Sequence, residues 1–167
     1  FRPVEKMLYP VVVISQMIPV ITLSPIFVLW FGYTIWSKVA VAVLISIFPI
    51  IVGTYDGLKA SDKEYVELFR SMGATRWTTL LKLHIPMALP SFFSGLKLAI
   101  IFALVGAAIG EWFGSSEGLG YYSRRMSGNL NAEGVFAAIT ILTWLGMILF
   151  GLVALIERRV LSWKNEP

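Results

Sequence analysis

Four long apolar segments divide the chain, and charged residues are scarce within them. The segments cover residues 8–31, 39–55, 91–110 and 135–156. At a rise of about 1.5 Å per residue, a helix over each segment approaches or exceeds the roughly 30 Å hydrocarbon thickness of a bilayer. The pattern therefore predicts an all-α, polytopic membrane protein with four transmembrane helices.

Prolines interrupt the first two segments. Pro10, Pro19 and Pro25 lie in the first, and Pro49 lies in the second. Each proline removes a backbone donor and disfavours helix at the preceding residue, so we expect a kinked or broken first helix and a bent second one. Irregular backbone at membrane depth is tolerated mainly where it faces protein or a water-filled cavity, although a structural kink also explains each single proline.

Composition supports a membrane protein and narrows its chemistry. Of the 167 residues, 57% are hydrophobic and 14% are charged, with a mean hydropathy of +0.76. The net charge is +4, but basic residues alternate with acids between the apolar runs, so the charge pattern does not predict nucleic-acid binding. Cysteine is absent and His84 is the only histidine, which excludes disulfides, zinc sites and histidine-dependent triads within the chain.

The distribution of lysine and arginine around the apolar segments predicts the orientation of the chain. One side carries ten basic residues: Arg2, Lys6, Lys59, Lys63, Arg70, Arg76, Lys82, Arg158, Arg159 and Lys164. The other side carries three: Lys38, Arg124 and Arg125. The first side, which includes residues 57–86 and the C-terminus, is therefore predicted to be cytoplasmic, and residues 111–134 to form an outer loop. Lys97 lies near the cytoplasmic start of its helix, from which its ammonium can snorkel to the interface.

Residues 57–86 are too polar to span a membrane and too regular for a plain loop. Ser61 and Glu64 have the spacing of a capping box, which predicts the start of a helix. An apolar stripe at helical spacing follows, formed by Tyr65, Leu68, Phe69 and Met72. Gly73 stands where the end of a helix adopts a left-handed backbone conformation.

A second short helix is predicted from Thr75 through His84, with Pro86 ending it. The segment therefore predicts two short helices, joined at a glycine, on the cytoplasmic surface. Such a pair either rests at the membrane interface or docks as a rigid knob into a groove on a cytoplasmic partner. The periodicity alone leaves both interpretations open.

The same region resembles the signature of permease subunits of binding-protein-dependent ABC importers. That signature reads E-A-A, three residues, G, nine residues and I-x-L-P. The corresponding residues here are Glu67-Leu68-Phe69, Gly73 and Leu83-His84-Ile85-Pro86, with the same spacing and no gap. Leu68 and Phe69 replace the two alanines, so the match depends on Glu67, Gly73, Pro86 and the spacing.

Other parts of the chain are similar to the branch of that family that serves nitrate, sulfonates, taurine and thiamine precursors. The similar residues are Gln16-x-x-Pro19, Pro25 to the Leu29-Trp30-Phe31-Gly32 turn, Phe48-Pro49, Gly110-Glu111-Trp112 and Ser115-Ser116-x-Gly118-Leu119-Gly120-Tyr121. Members of the family usually carry further helices before this region. We therefore expect N-terminal helices to be missing from the sequence.

The resemblance implies a type I importer permease, a helical bundle surrounded by lipid in a bacterial cell membrane. Two permease copies, as a homodimer, would form the pathway, two cytoplasmic ATP-binding subunits would dock on residues 57–86, and an extracytoplasmic solute-binding protein would deliver the solute. The implied ATPase-coupling residues are Glu67, Leu68, Phe69, Gly73, Leu83, Ile85 and Pro86. The Glu67 carboxylate could instead pair only with a basic residue of its own chain. The implied substrate is a small organic solute such as a thiamine precursor, a vitamin or a sulfonate.

No phosphate-binding P-loop motif occurs, so ATP hydrolysis is expected on a separate chain, and neither an enzyme nor a cofactor is predicted. Buried polar side chains in a span are candidates for the translocation pathway. The candidates are Ser15, Gln16, Thr22, Ser24, Thr140 and, at the outer end of the third span, Glu111. Because serine and threonine hydroxyls bond to carbonyls of their own helix at little cost, Gln16 and Glu111 remain as pathway predictions.

Two alternatives to the importer remain. An ion-coupled secondary transporter would need no ATPase, but such proteins generally place ionisable groups at mid-membrane, and apart from Lys97 the inner parts of these segments have none. A scaffold could use the same surface helices to hold a cytoplasmic protein without moving solute. The spacing of the signature argues against the scaffold.

Overall fold

The computed structural model describes Ile14 and residues 17–61 and 63–164, and the regular elements in that part of the chain are all helical. In order they are α1 (Val20–Phe31), α2 (Ile35–Lys59), α3 (Lys63–Ser71), α4 (Arg76–Thr79), a π-helical turn (Leu80–His84), α5 (Ile85–Gly114), α6 (Leu119–Gly128), α7 (Ala132–Val160) and a 3-10 turn (Ser162–Lys164). The all-α prediction is confirmed.

Three of the described helical stretches are long and apolar enough to cross a membrane. They are Ile35–Lys59, Arg76–Gly114 and Ala132–Val160. The contacts divide the chain into two compact units. Residues up to 48 with residues 101–147 belong to the first, and residues 49–100 with residues from 148 onwards belong to the second.

Helix α1 is shorter than the apolar segment 8–31 in which it lies. Its 12 residues begin after Pro19, whose backbone is extended, with φ −63° and ψ 110°, and they include Pro25. The helix ends at Gly32, where φ is +68°. Residues 8–13, 15 and 16 of the segment, Gln16 among them, lie outside the described part of the chain. Pro19 thus stands at the start of a helix, where its missing donor costs least.

In the first unit, glycines let the helices approach one another closely. A Cβ added to Gly106 on α5 would lie 2.8 Å from the Cα of Ala42 on α2. A Cβ added to Gly114, at the end of α5, would lie 2.7 Å from a methyl of Val28 on α1. Lipid is as apolar as a protein core, so membrane helices associate through such close backbone packing.

Glycines also allow close backbone packing in the second unit, between other residues of α2 and α5. A Cβ added to Gly57 on α2 would lie 2.9 Å from the Cα of Ala88 on α5. Gly95 lies so close to the carbonyl of Pro49 that no side chain fits there. Pro49 lies inside α2, which is helical on both sides of it.

An ion pair joins α5 and α7 in the second unit. The Nζ of Lys97 lies 2.8 Å from Oε2 of Glu157, and the two side chains are 22% and 20% exposed. The ammonium also lies 5.9 Å from the centroid of the Phe150 ring. The charge of Lys97, which we expected at the membrane interface, is therefore neutralised by an acid of the same unit.

The predicted stop at Pro86 is wrong, because the helix continues past this residue to Gly114. Residues Leu80–His84 form a π-helical turn, in which the N–H of Ile85 donates to the Leu80 carbonyl five residues earlier. Pro86 then falls in the first turn of α5. A proline is tolerated there, since the wider preceding turn relieves the usual ring clash.

Candidate coupling surface

Helix α3 and the turn after it form a short surface element. Glu64 lies in its first turn and Arg70 in its last, which matches the helix dipole, and none of its residues is buried. Gly73 has φ of +76°, so the predicted left-handed cap is confirmed. The N–H of Ala74 donates to the Phe69 carbonyl at 2.9 Å, and the N–H of Gly73 donates to that of Arg70 at 3.0 Å. These two bonds make a Schellman motif, which fixes the direction in which the chain leaves α3.

The chain re-enters helix at once after this turn. Thr75 is the N-cap of α4, and its Oγ1 accepts the N–H of Thr78 at 3.2 Å. The hydroxyl of Thr79, which is buried, donates to the Thr75 carbonyl at 3.0 Å. Residues 63–84 therefore form a helix, tight turn and helix, which we call the knob.

The entry to the knob differs from the predicted capping box. The Ser61 hydroxyl lies 2.7 Å from Nδ1 of His84 and also contacts the Leu58 carbonyl at 3.5 Å. Among the described residues no hydrogen bond joins Ser61 to Glu64, so the predicted capping box does not form. The bond to His84 ties the segment before α3 to the π-helical turn, and no local sequence pattern predicts it.

The knob exposes large apolar side chains. Of the predicted stripe, Tyr65, Leu68 and Met72 are 51%, 53% and 76% exposed, whereas Phe69 is half-buried. Trp77 and Leu81, which the sequence analysis did not single out, are 73% and 60% exposed. This segment is too polar to span the membrane, so its apolar side chains are available to contact a partner protein or the membrane interface. Their exposure is typical of a surface that contacts another protein.

The remaining residues of the signature lie in different surroundings. Glu67 is exposed, and no basic side chain in residues 17–61 or 63–164 pairs with its carboxylate. Leu83 is buried, Ile85 is 40% exposed and Pro86 is half-buried. An ion pair of Glu67 within the described part of its own chain, the alternative to a docking role, is therefore absent.

Glu111, a predicted pathway residue, bonds the start of α6 to the end of α5 in the structure. Its Oε2 accepts the N–H of Gly120 at 2.6 Å, in the first turn of α6. Gly118, the N-cap of α6, has φ of +107° and leaves no room for a Cβ beside the Glu111 carboxyl. A carboxylate at a helix N-terminus accepts from a free backbone N–H and interacts favourably with the positive end of the helix dipole. The pathway role of Glu111 stays a prediction, and Gln16 lies outside the described residues.

Replacing Glu111 by alanine is expected to loosen the start of α6, because the Gly120 N–H loses its acceptor. Loss of an N-terminal cap costs about 1 kcal/mol, which corresponds to roughly fivefold faster amide exchange at Gly120 by local opening. Hydrogen exchange of the purified permease measures this rate. Glu117→Ala, an exposed acid of the same loop, is the control and should leave the rate unchanged. Equal exchange in wild type and Glu111→Ala would contradict the capping role.

Two further features of the first unit involve basic residues predicted on the outer side. Arg124 donates to the Trp112 carbonyl and stands over the Phe113 ring, 5.6 Å from its centroid. A cleft of about 460 Å³ is lined by Tyr33, Lys38, Ser115, Ser116 and Glu117. Arg124 is thus tied to the end of α5, while Lys38 and Glu117 provide opposite charges in an open, polar cleft.

Comparison with known proteins agrees with the motif. The chain matches the family described as binding-protein-dependent transport system inner membrane component over residues 1–162. It is 53% identical over 163 residues to the formylaminopyrimidine transport permease protein ThiX of Halalkalibacterium halodurans, covering 98% of this chain and 65% of that protein. It is 34% identical over 163 residues to the riboflavin transport system permease protein RibX of Chloroflexus aurantiacus, covering 98% and 61%.

A third relative is the putative aliphatic sulfonates transport permease protein SsuC of Bacillus subtilis, 30% identical over 162 residues, with 97% of this chain and 59% of that protein covered. The chain thus spans about three fifths to two thirds of the length of these relatives. All three are transport permeases. On the family match, the knob and the apolar helices, this multi-pass chain of the cell membrane belongs to the inner membrane permeases of binding-protein-dependent ABC importers, in the branch that includes ThiX and SsuC.

Proposed function

We propose that this chain is part of the permease subunit of an ATP-driven importer, in which it forms the solute pathway and receives motion from a cytoplasmic ATPase through the knob. The coupling residues are those of the signature: Glu67, Leu68, Phe69, Gly73, Leu83, Ile85 and Pro86. The permease itself hydrolyses no ATP, because this activity belongs to the docked subunits. The outward exposure of Tyr65, Leu68 and Met72, on a helix fixed by the Gly73 turn, is the observation that carries the proposal.

The knob has the physical properties that force transmission requires. Two backbone hydrogen bonds close the turn that joins its two helical parts. Its second helical part runs without a break into α5, within the helical stretch Arg76–Gly114. A displacement of the knob therefore acts directly on a helix long enough to cross the membrane. Closure of the ATPase pair would shift such helices between two discrete arrangements, as in other two-state switches.

The proposed orientation and partners follow from the same assignment. Residues 57–86 and the C-terminus are cytoplasmic, residues 111–134 face outward, and the spans lie near residues 8–31, 39–55, 91–110 and 135–156. Two ATP-binding subunits contact the knobs of two permease copies, which form a homodimer. An extracytoplasmic solute-binding protein delivers the solute to the outer face.

The proposed solute is a small organic molecule of the thiamine-precursor class. ThiX, at 53% identity, is named for formylaminopyrimidine, whereas RibX and SsuC are named for riboflavin and aliphatic sulfonates at 34% and 30%. We therefore place formylaminopyrimidine first, riboflavin second and an alkyl sulfonate third. Thermal unfolding of the cognate binding protein with each compound identifies the solute, because only a ligand of the folded state raises the melting temperature.

Uptake into proteoliposomes tests the function as a whole. The full-length permease is reconstituted with its ATPase and binding protein, and the labelled compound that stabilises the binding protein is supplied outside. Uptake is expected only with ATP in the compartment of the ATPase. Uptake without ATP under an imposed proton or sodium gradient would favour the ion-coupled transporter, and ATPase binding without any uptake would favour the scaffold.

A further inference from the structure

Ser24 is a buried hydroxyl that makes no hydrogen bond. It lies on α1, its residue is 1% exposed, and its Oγ has no partner. Among the described residues, it is the single buried side-chain nitrogen or oxygen in that condition. An unsatisfied buried polar group costs about 1 to 3 kcal/mol, so such groups are few in native structures and call for an explanation.

Other hydroxyls of the apolar helices avoid this cost by bonding to their own backbone. Ser37 is also 1% exposed, but its Oγ donates to the Thr34 carbonyl at 2.8 Å. Thr22 and Thr140 donate to carbonyls three and four residues earlier, at 2.6 and 2.8 Å. Bonds to their own helix therefore account for the hydroxyls of Thr22 and Thr140, two of the predicted pathway candidates. No such bond accounts for the hydroxyl of Ser24.

The residue after Ser24 removes a backbone donor from the same turn. Pro25 lies inside α1 and has no N–H, so the carbonyl of Ile21 has no donor at the position four residues later. A hydroxyl can both donate and accept, and a carbonyl only accepts. The turn can therefore receive a group with adjacent donor and acceptor atoms, such as an amide or an amino-substituted nitrogen ring.

We propose that Ser24 is a solute-contact residue of the translocation pathway, where it bonds an amide or amino-substituted ring of the passing solute together with the Ile21 carbonyl. The proposal rests on the importer function proposed above. A pathway that alternates between two arrangements buries its polar contact groups in one of them. The buried, unpartnered hydroxyl of Ser24 is such a group in one arrangement, and the solute supplies the missing partner in the other.

Cysteine labelling tests whether Ser24 enters a water-filled pathway. The 167 residues contain no cysteine, so Ser24→Cys provides a single thiol here, in a full-length permease freed of any others. Without ATP, a small charged methanethiosulfonate reagent is expected to leave this thiol unmodified. In the transporter trapped with ATP and vanadate, labelling should rise at least tenfold and fall again when solute is present. Ser37→Cys, equally buried but satisfied, should stay unmodified in both states.

Ser24→Ala separates solute contact from packing. Removing an unsatisfied hydroxyl should leave the melting temperature of the permease unchanged or raise it, while the KM for ATP-driven uptake rises about five- to tenfold. Ser37→Ala should lower the melting temperature slightly and leave KM unchanged. A Ser24→Cys thiol unmodified in both states, or a wild-type KM in Ser24→Ala, would overturn the assignment while wild-type uptake stands. Absence of ATP-driven uptake in the wild type would overturn the proposed function and this inference with it.

Discussion

Replacing Glu67 by lysine is expected to release the ATPase from the transporter while the permease stays folded and inserted. The Glu67 carboxylate is exposed on α3 and makes no ion pair in the part of the chain that the structure describes. Its reversal therefore breaks no ion pair among the described residues. At a docking surface, a reversed charge places like charges together, which costs several kcal/mol. We expect at least tenfold less ATPase to co-purify with the permease, and uptake to fall in proportion.

Glu64→Lys is the matched control for this experiment. Glu64 is exposed on the same helix, within its first turn and outside the signature, so the two variants change net charge equally. Retention of the ATPase by Glu64→Lys should stay within about twofold of wild type, and circular dichroism should show equal helix content in both variants. Equal losses in the two would indicate a general charge effect, and unchanged retention by Glu67→Lys would reject the docking role.

The Gly73 turn of the knob was predictable because its determinants are local. The Gly73 turn is closed by bonds to Phe69 and Arg70, only five and three residues back, and glycine is the residue that adopts positive φ without a steric cost. The apolar stripe indicated which side chains would be grouped. It could not indicate that Phe69 is half-buried while Met72 is exposed, since that depends on what packs beside them.

The interactions that escaped prediction join residues far apart in the chain. Ser61 and His84 are 23 residues apart, and Lys97 and Glu157 are 60 apart. A local pattern predicted a capping role for Ser61, whereas its hydroxyl bonds a histidine in the π-helical turn. Pro86 was misread for a related reason, because a π-helical turn has no sequence signature that distinguishes it from ordinary helix.

Glu111 is an intermediate case. It is nine residues from Gly120, and an acid ahead of a glycine-rich loop and a helix start is a recognisable arrangement. Its position at the end of a span predicted a role in the translocation pathway, because burying an ionisable group in a span costs free energy. The structure offers a second explanation, since the capping bond gives the carboxylate a partner.

The pair of Lys97 and Glu157 is expected to show strong energetic coupling. Lys97→Met leaves the Glu157 carboxylate without its partner, and Glu157→Leu leaves the ammonium, in side chains only 22% and 20% exposed. Breaking a fully buried pair costs about 3 to 5 kcal/mol. Since about a fifth of each side chain is exposed, we expect each single variant to lose about 1 to 3 kcal/mol. The melting temperature of the purified permease should fall by several degrees.

The double variant Lys97→Met/Glu157→Leu tests whether the stability lost in each single variant comes from the charge that is left without its partner. Replacing both partners by apolar groups leaves no unpaired charge, so the double variant should recover most of the stability lost by either single variant. Arg159→Met removes a charge from the exposed last turn of the same helix α7 and should change the melting temperature little. Additive losses in the double variant would contradict the coupling. If the double variant recovers stability but not ATP-driven uptake, the two charges contribute to the conformational change of transport. The pair would then be dispensable for folding and needed in another conformation of the transporter.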